Sequence, residues 1–188
     1  MNPAAGYRLF DTALGRCGIA WRGERVCAFA LAAADDAATA QQLERRLPGC
    51  ALASPPEPVA FAIAAVQRLL AGEAADLTQV AVDLDPVAPF ERSVYQALRA
   101  VPPGETITYG ELARRAGSPG AARAVGAAMG RNPIPVIIPC HRVLAGGGRT
   151  GGFSAPGGVT TKFRLLKIEQ AGGGKGLLFD QLPLAVRT

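Results

Sequence analysis

The chain has 188 residues and a formal net charge of +5, the size of one large domain or two small ones. It is 49% hydrophobic and 19% charged, which excludes wholesale disorder; no apolar run approaches the roughly 20 residues that a membrane span needs, and Met1 to Gly15 does not read as a secretory signal. Four cysteines without a Cys-x-x-Cys pair make no disulfide scaffold and point to a reduced, cytoplasmic protein.

Tyr7 to Leu31 alternates short apolar pieces with Gly15, Gly18 and Gly23, and predicts two or three short antiparallel strands. Asp35 and Asp36 precede an Ala-rich helix that Pro48 and Gly49 close near Leu47. Beyond a loop at Pro55, Pro56 and Pro58, apolar residues at Val59, Ile63, Val66 and Leu70 predict an amphipathic helix stopped by Gly72. Val80 to Leu84 alternates as one more strand. Asp85 to Pro89 reads as a linker, so the expected division is 1–85, 86–171 and a tail, 172–188.

The two halves differ in charge. Residues 1–88 carry seven basic and ten acidic side chains, residues 89–188 thirteen and five. An anionic partner is therefore expected for the second half alone. Seventeen of the twenty basic residues are Arg, which suits phosphate recognition but also follows from Ala- and Arg-rich codon usage. In this half Phe90, Val94 and Leu98 predict a helix ended by Pro102, Pro103 and Gly104. Thr108 caps a short helix through Ala116, with Glu111 at the capping-box position. A turn at Gly117–Gly120 leads to a helix over Ala121–Met129. Two short helices about such a turn form a helix-turn-helix pattern.

Ile134, Val136, Ile137 and Ile138, interrupted by Pro135, predict a buried extended run ending at Pro139. It delivers Cys140 beside His141, the only His of the chain. A lone Cys is most often a buried small hydrophobe, but a neighbouring imidazole can take its proton and leave a nucleophilic thiolate. Adjacent residues of an extended chain face opposite ways, so a bridging water is the expected relay. Glu169, in a helix over Lys162–Gln170, is the candidate to orient the imidazole, with a solvated surface Glu as the alternative. Cys17, Cys27 and Cys50 have no His near them and read as packed side chains, so no metal site is expected. Gly146–Gly148 and Gly151–Gly152 around Arg149 lack P-loop spacing and suit a loop that closes over a substrate.

These residues carry a family resemblance. Tyr109-Gly110-Glu111-Leu112-Ala113, Arg123-Ala124-Val125-Gly126, Asn132-Pro133 and Ile138-Pro139-Cys140-His141-Arg142-Val143, with Leu165-Leu166 and Glu169, resemble the O6-alkylguanine-DNA alkyltransferases over Phe90–Glu169. The resemblance implies an α/β protein, with a small ribonuclease-H-like first domain and a helical, winged-helix-like second domain. It also implies a suicide repair reaction without a cofactor. Cys140 would take the alkyl group from O6-alkylguanine in double-stranded DNA, with O4-alkylthymine a second candidate substrate. His141 would act as base through a water, Glu169 would orient it, and Asn132 would brace the helix–strand hinge. Tyr109 would donate toward guanine N3, and the carbonyls of Cys140 and Val143 would accept from the exocyclic amine.

By the same resemblance Pro135, Phe153 and Ser154 would line the base pocket. Arg123 would fill the gap left by the flipped nucleotide, with Ala122, Ala124, Gly126, Arg131 and Arg142 at the DNA. Two departures stand out. Phe153 replaces the usual Tyr, and Ala155-Pro156-Gly157-Gly158 is two residues longer than the pattern. A lesion sensor that recruits other factors is the rival reading, but those relatives replace the Cys. An alkylation-sensing regulator would need a further zinc-binding domain, and a Cys-His hydrolase would turn over. In the tail, Gln181-Leu182-Pro183-Leu184 is similar to a sliding-clamp peptide, while an apolar tail packing back on the domain is the blander reading.

Overall fold

A computed structural model describes residues 4–146 and 150–170. The chain begins as a meander of β1 (Ala5–Thr12), β2 (Gly15–Arg22) and β3 (Arg25–Ala30). The first turn closes on Gly15, at φ +100°, where an added Cβ would also lie 2.9 Å from that of Ala32; Thr12 Oγ1 secures it by donating to the Gly15 carbonyl at 2.7 Å. Helix α1 (Asp36–Arg46) is capped by the Asp35 carboxylate, which accepts from the Ala38 N–H at 2.7 Å. The chain then adds β4 (Ala51–Leu52) parallel to β1, for a sheet order β3-β2-β1-β4.

Strand β2 is buried on both faces because each is covered. Cys17, Ile19 and Trp21 pack with the apolar side of α2 (Glu57–Leu70), while Ala20 packs with Leu43 and Leu47 near α1. The period of two in the strand separates these sets. Val80–Leu84, expected as a strand, makes only one bridge, Val26 to Val82. The Arg99 guanidinium takes the carbonyls of Leu77, Thr78 and Val80, and Asp83 Oδ1 turns the chain by accepting from the Asp85 N–H. The Ala81 carbonyl and the Asp83 N–H pair with Val26, while the Val80 carbonyl goes to Arg99 and that of Leu84 to the Val87 N–H, so pairing stops at this one bridge.

The second half is mainly helical, with α3 (Pro89–Arg99), α4 (Tyr109–Arg115), α5 (Ala122–Gly130) and α6 (Gly158–Gln170). Thr108 caps α4 by accepting from the Glu111 N–H at 3.1 Å; the Glu111 side chain pairs with Arg114 and Arg115. The short strands β5 (Ile107–Thr108) and β6 (Val143–Leu144) pair in parallel, which brings the start of α4 beside the residues that follow Cys140. Buried apolar residues from Phe10 to Leu165 form one contiguous core. Among the described residues, no helix is long and apolar enough to cross a membrane. The Gly147–Arg149 part of the glycine loop and the tail with its Gln181–Leu184 string lie outside the described residues.

The expected extended run Ile134–Ile138 is instead a buried tight turn. The Ile138 N–H donates to the Ile134 carbonyl at 2.8 Å. Asn132 spans it, its Nδ2 donating to the Ile138 carbonyl at 2.8 Å and its Oδ1 accepting from the Ile134 N–H at 3.0 Å. Val136 is held at φ +74°, a left-handed conformation that a β-branched residue resists. Pro135, without an N–H, cannot donate to a ladder. The continuous apolar character reflects burial of every side chain there, not strand geometry.

Tyr95, on α3, donates its hydroxyl to the Ala128 carbonyl of α5 at 2.7 Å in the core, and burial pushes its ionisation up to about 12. Tyr95→Phe should therefore destabilise the fold by about 1 kcal/mol, seen as a melting temperature lower by about 2–4 °C in a calorimetric scan.

Candidate active site

Cys140, His141 and Arg142 form a single 3-10 turn, closed by the Arg142 N–H on the Pro139 carbonyl at 2.9 Å. Successive residues of such a turn diverge by about 120°, which replaces the two opposed faces expected of an extended chain. His141 and Arg142 both reach Glu169. The His141 Nε2 lies 2.7 Å from Glu169 Oε1. The Arg142 Nε donates to Glu169 Oε2 at 3.0 Å, its Nη2 donates to Oε1 at 2.7 Å, and its Nη1 donates to the Val101 carbonyl. All three side chains are buried, so the surface alternative for Glu169 does not hold.

The electrostatics fix the protonation states. Burial pushes the Glu169 carboxyl up, but the His141 ring and the Arg142 guanidinium outweigh it and hold the group down at about 2. Burial holds His141 below its ordinary value, so the ring is neutral near pH 7. Against an anionic Glu169, its Nε2 must carry the hydrogen and donate. Its Nδ1, buried and without a hydrogen-bond partner, is left as the acceptor. Burial also raises the Cys140 thiol, partly countered by Asn132 and by the positive charge of Lys162 and Arg46. A protonated thiol and a free basic nitrogen one residue apart can together generate a nucleophilic thiolate on demand.

Tyr109 and the stretch leading to α6 stand close together. A Cβ on Gly151, at φ +66°, would fall 2.9 Å from the Tyr109 hydroxyl oxygen, so only glycine lets that backbone approach the ring. Phe153 is half-buried against the core, and Ser154 is exposed, its Oγ 3.4 Å from the Gly130 carbonyl. Ala155–Gly158 forms a turn leading into α6, where the Gly158 N–H donates to the Ala155 carbonyl at 2.9 Å and Thr161 Oγ1 to that of Pro156 at 2.7 Å. Val143 is buried, and its carbonyl accepts from Lys162 Nζ at 2.6 Å; the Cys140 carbonyl accepts from the Val143 N–H. Each carbonyl keeps a second lone pair. Pro135 lies buried in the turn that precedes the Cys.

Helix α5 presents Arg123 and Ala124 to solvent, with Ala122 and Gly126 half-buried. Arg123, Ala122, Gly126, Tyr109 and Gly110 line a shallow cleft of about 610 Å³. Arg131 is exposed and paired with Glu91 at 2.6 Å. Arg142, expected at the DNA, is instead turned inward and 4% exposed; a guanidinium committed to Glu169 and Val101 cannot reach a phosphate. The larger cleft, about 750 Å³, lies behind the site against Arg99, Val136, Pro139 and Arg142, and Cys140 does not line it.

Two contributors escaped the sequence reading. Lys162 is fully buried, and its signal was the stripe Lys162, Leu165, Leu166, Glu169, the i, i+3, i+4, i+7 face of one helix. Arg46 Nη1 donates to the carbonyls of Phe29 at 2.5 Å and Pro133 at 3.1 Å, joining α1 to the segment before the Cys. Partners 87 residues apart leave no local mark.

Comparison with known proteins agrees with this geometry. Residues 89–171 match the family model of the 6-O-methylguanine DNA methyltransferase DNA-binding domain. The methylated-DNA–protein-cysteine methyltransferase of Mycobacterium leprae is 48% identical over 116 residues, covering 61% of this chain and 68% of that protein. The bifunctional transcriptional activator/DNA repair enzyme Ada of Escherichia coli K12 is 37% identical over 169 residues, 89% of this chain but 46% of that longer protein. The crystal structure of Mycobacterium tuberculosis OGT in complex with DNA superposes with a TM-score of 0.70 at 32% identity, covering 89% of this chain and 94% of that one. With its mixed α/β fold and its buried Cys-His-Glu arrangement, the chain belongs to the methylated-DNA–protein-cysteine methyltransferase family.

Proposed function

We propose that this chain repairs DNA by direct reversal, moving the alkyl group of O6-alkylguanine onto its own Cys140. The observation that carries this reading is the geometry of the site: a buried thiol beside a buried imidazole whose Nε2 is engaged by Glu169 at 2.7 Å and whose Nδ1 is unpartnered. Through a water, the thiol proton passes to Nδ1. The thiolate then attacks the alkyl carbon, an S–C bond forms, and the C–O6 bond breaks with its electron pair leaving on the guanine. Tyr109, donating toward N3, offsets the charge on the departing base, which takes up one proton as it becomes guanine. A thioether has no good leaving group, so each chain acts once. A sensor that only bound the lesion would need no thiol backed by a base.

The target carbon lies inside a stacked duplex, so the base must leave the stack at a cost of roughly a few kcal/mol. The positive second half supplies backbone attraction that reads no sequence. Exposed Arg123 on α5 is the side chain to occupy the vacated position, as wedges do in minor-groove binders. Residues 86–171 would carry DNA binding and alkyl acceptance, with α4, α5 and the β5–β6 pair as a winged-helix-like unit. Residues 1–85 would be a ribonuclease-H-like support, a reading favoured by three antiparallel strands followed by one parallel to β1. The Gln181–Leu184 string is a proposal for a sliding-clamp contact supported by its sequence alone, and O4-alkylthymine is a further candidate substrate.

Incubation with a duplex holding one O6-methylguanine should add a single methyl mass to the Cys140 peptide, stopping at one per chain. Cys140→Ser should take up none yet still bind the duplex, and methyl uptake by that variant would remove the mechanism. Arg123→Ala should slow repair of the duplex lesion at least tenfold more than reaction with free O6-benzylguanine in single-turnover assays; equal slowing on both would refute the wedge role. The pH profile follows from His141. Protonation removes the base, and burial holds that protonation below the ordinary 6.5. Single-turnover transfer should therefore stay level as pH falls from 8 through 6.5 and decline only below it.

A further inference from the structure

The solvent side of α5 carries two guanidiniums. Its exposed residues include Arg123, Ala127, Gly130 and Arg131, at the i, i+4, i+7, i+8 spacing of one helical face. Arg131 directly follows α5, its N–H still on the Ala128 carbonyl at 3.0 Å, so it continues the stripe about 12 Å along the axis from Arg123. The small residues between them let a nucleic-acid backbone approach closely. Arg131 is nevertheless engaged by an acid. Its Nη2 donates at 2.6 Å to Oε1 of Glu91, in the first turn of α3 and 40 residues back in the chain. The carboxylate side chain is 17% exposed and the guanidinium side chain 61%, so the acid is fixed and the cation reaches out to it over solvent. Donation from Arg131 holds the Glu91 carboxyl below its ordinary value. Glu111, the other carboxylate near this face, pairs with Arg114 and Arg115 of its own helix, which supports that helix. The Glu91–Arg131 pair supports none. An exposed ion pair adds little stability, and α3 is already fastened to α5 in the core by Tyr95 on the Ala128 carbonyl.

We propose that Glu91 is a built-in competitor for DNA, holding Arg131 in the place of a backbone phosphate so that undamaged duplex is bound loosely. The inference rests on reading the α5 face as the DNA-binding surface. Carboxylate and phosphate oxygens make the same charge-assisted bonds to a guanidinium, so binding exchanges one acceptor for the other with little movement of Arg131. The exchange breaks an existing pair and leaves Glu91 bare beside a polyanion. It also weakens the counterion gain. A free cation that neutralises a phosphate releases about one counterion, whereas a cation taken from Glu91 leaves that carboxylate to collect a cation of its own. The device suits a chain that acts once. Undamaged sites far outnumber lesions, and a shorter stay on each returns the protein to the search, while contacts to the flipped base are untouched.

The test is a double-mutant cycle read by fluorescence anisotropy on an undamaged duplex, with wild type, Glu91→Gln, Arg131→Gln and the double variant. Salt is varied from roughly 50 to 200 mM, where each phosphate contact shows in the slope of log affinity against log salt. Glu91→Gln should bind at least fivefold more tightly than wild type at the lower salt, with a slope steeper by about one. In the Arg131→Gln background the same change should gain at least threefold less, because no cation remains to be released. Equal gains in both backgrounds would make Glu91 a simple repelling charge and overturn the inference. So would an unchanged affinity with a lowered melting temperature, which a purely structural tie between α3 and α5 predicts. A wild type that binds no duplex at the lower salt overturns the reading of the α5 face itself.

Discussion

The site depends on one buried carboxylate. Glu169 receives the His141 Nε2–H on one side and the Arg142 guanidinium on the other. Removing Arg142 would leave an anion whose burial favours protonation, and a neutral Glu169 would no longer oblige Nε2 to be the donor. Removing Glu169 would strand a buried guanidinium. Such a network is destabilising when broken and gives little net stability when whole. Its return is a defined tautomer: Nδ1, the nitrogen left for the thiol proton, is basic because Nε2 is occupied.

The surrounding fold serves to bring this carboxylate to the Cys140 turn. Helix α6 supplies Glu169 from the end of the described chain, and Leu165 and Leu166 anchor it in the core between two buried charges. Arg142 reaches past Glu169 to the Val101 carbonyl just beyond α3, so the turn is tied both to α6 and to the end of α3. On its other side Asn132 clasps Ile134 and Ile138, and Arg46 fastens Pro133 to the first sheet. The left-handed Val136 is held by these contacts. A strained residue persists only where its neighbours over-determine it, and such strain often accompanies a segment whose direction matters to function.

Much of this was legible in the residues. The three-strand meander, the Thr108 cap, and the helices α2, α3, α4 and α5 rest on local patterns, because turn glycines, capping side chains and apolar spacing act within a few residues. The pairing of His141 with Glu169 was legible for another reason: the motif around Cys140 and His141 resembles the family to which the chain belongs, whereas local sequence also allowed a surface Glu. The misreadings share a cause as well. Ile134–Ile138 is apolar throughout, and burial alone cannot distinguish a strand from a buried turn. Val80–Leu84 alternates as a strand does, but the Val80 carbonyl and those of Leu77 and Thr78 before it are captured by Arg99, from a helix nearly twenty residues away, and the Leu84 carbonyl by the Val87 N–H.

The sequence by itself determined the first meander and most of the helices, the separation of charge between halves, and the residue types of the candidate site, since each is encoded in neighbours along the chain. Only the tertiary structure decided the roles of the charged side chains. Arg142 and Lys162 read as members of a positive surface, yet both are turned inward, one onto a carboxylate and the other onto carbonyls. That choice depends on which partners the fold brings within hydrogen-bond reach, and those partners are separated by up to tens of residues. Local sequence encodes a charge, while the sign and distance of what it meets after folding decide whether it faces DNA or holds the site together.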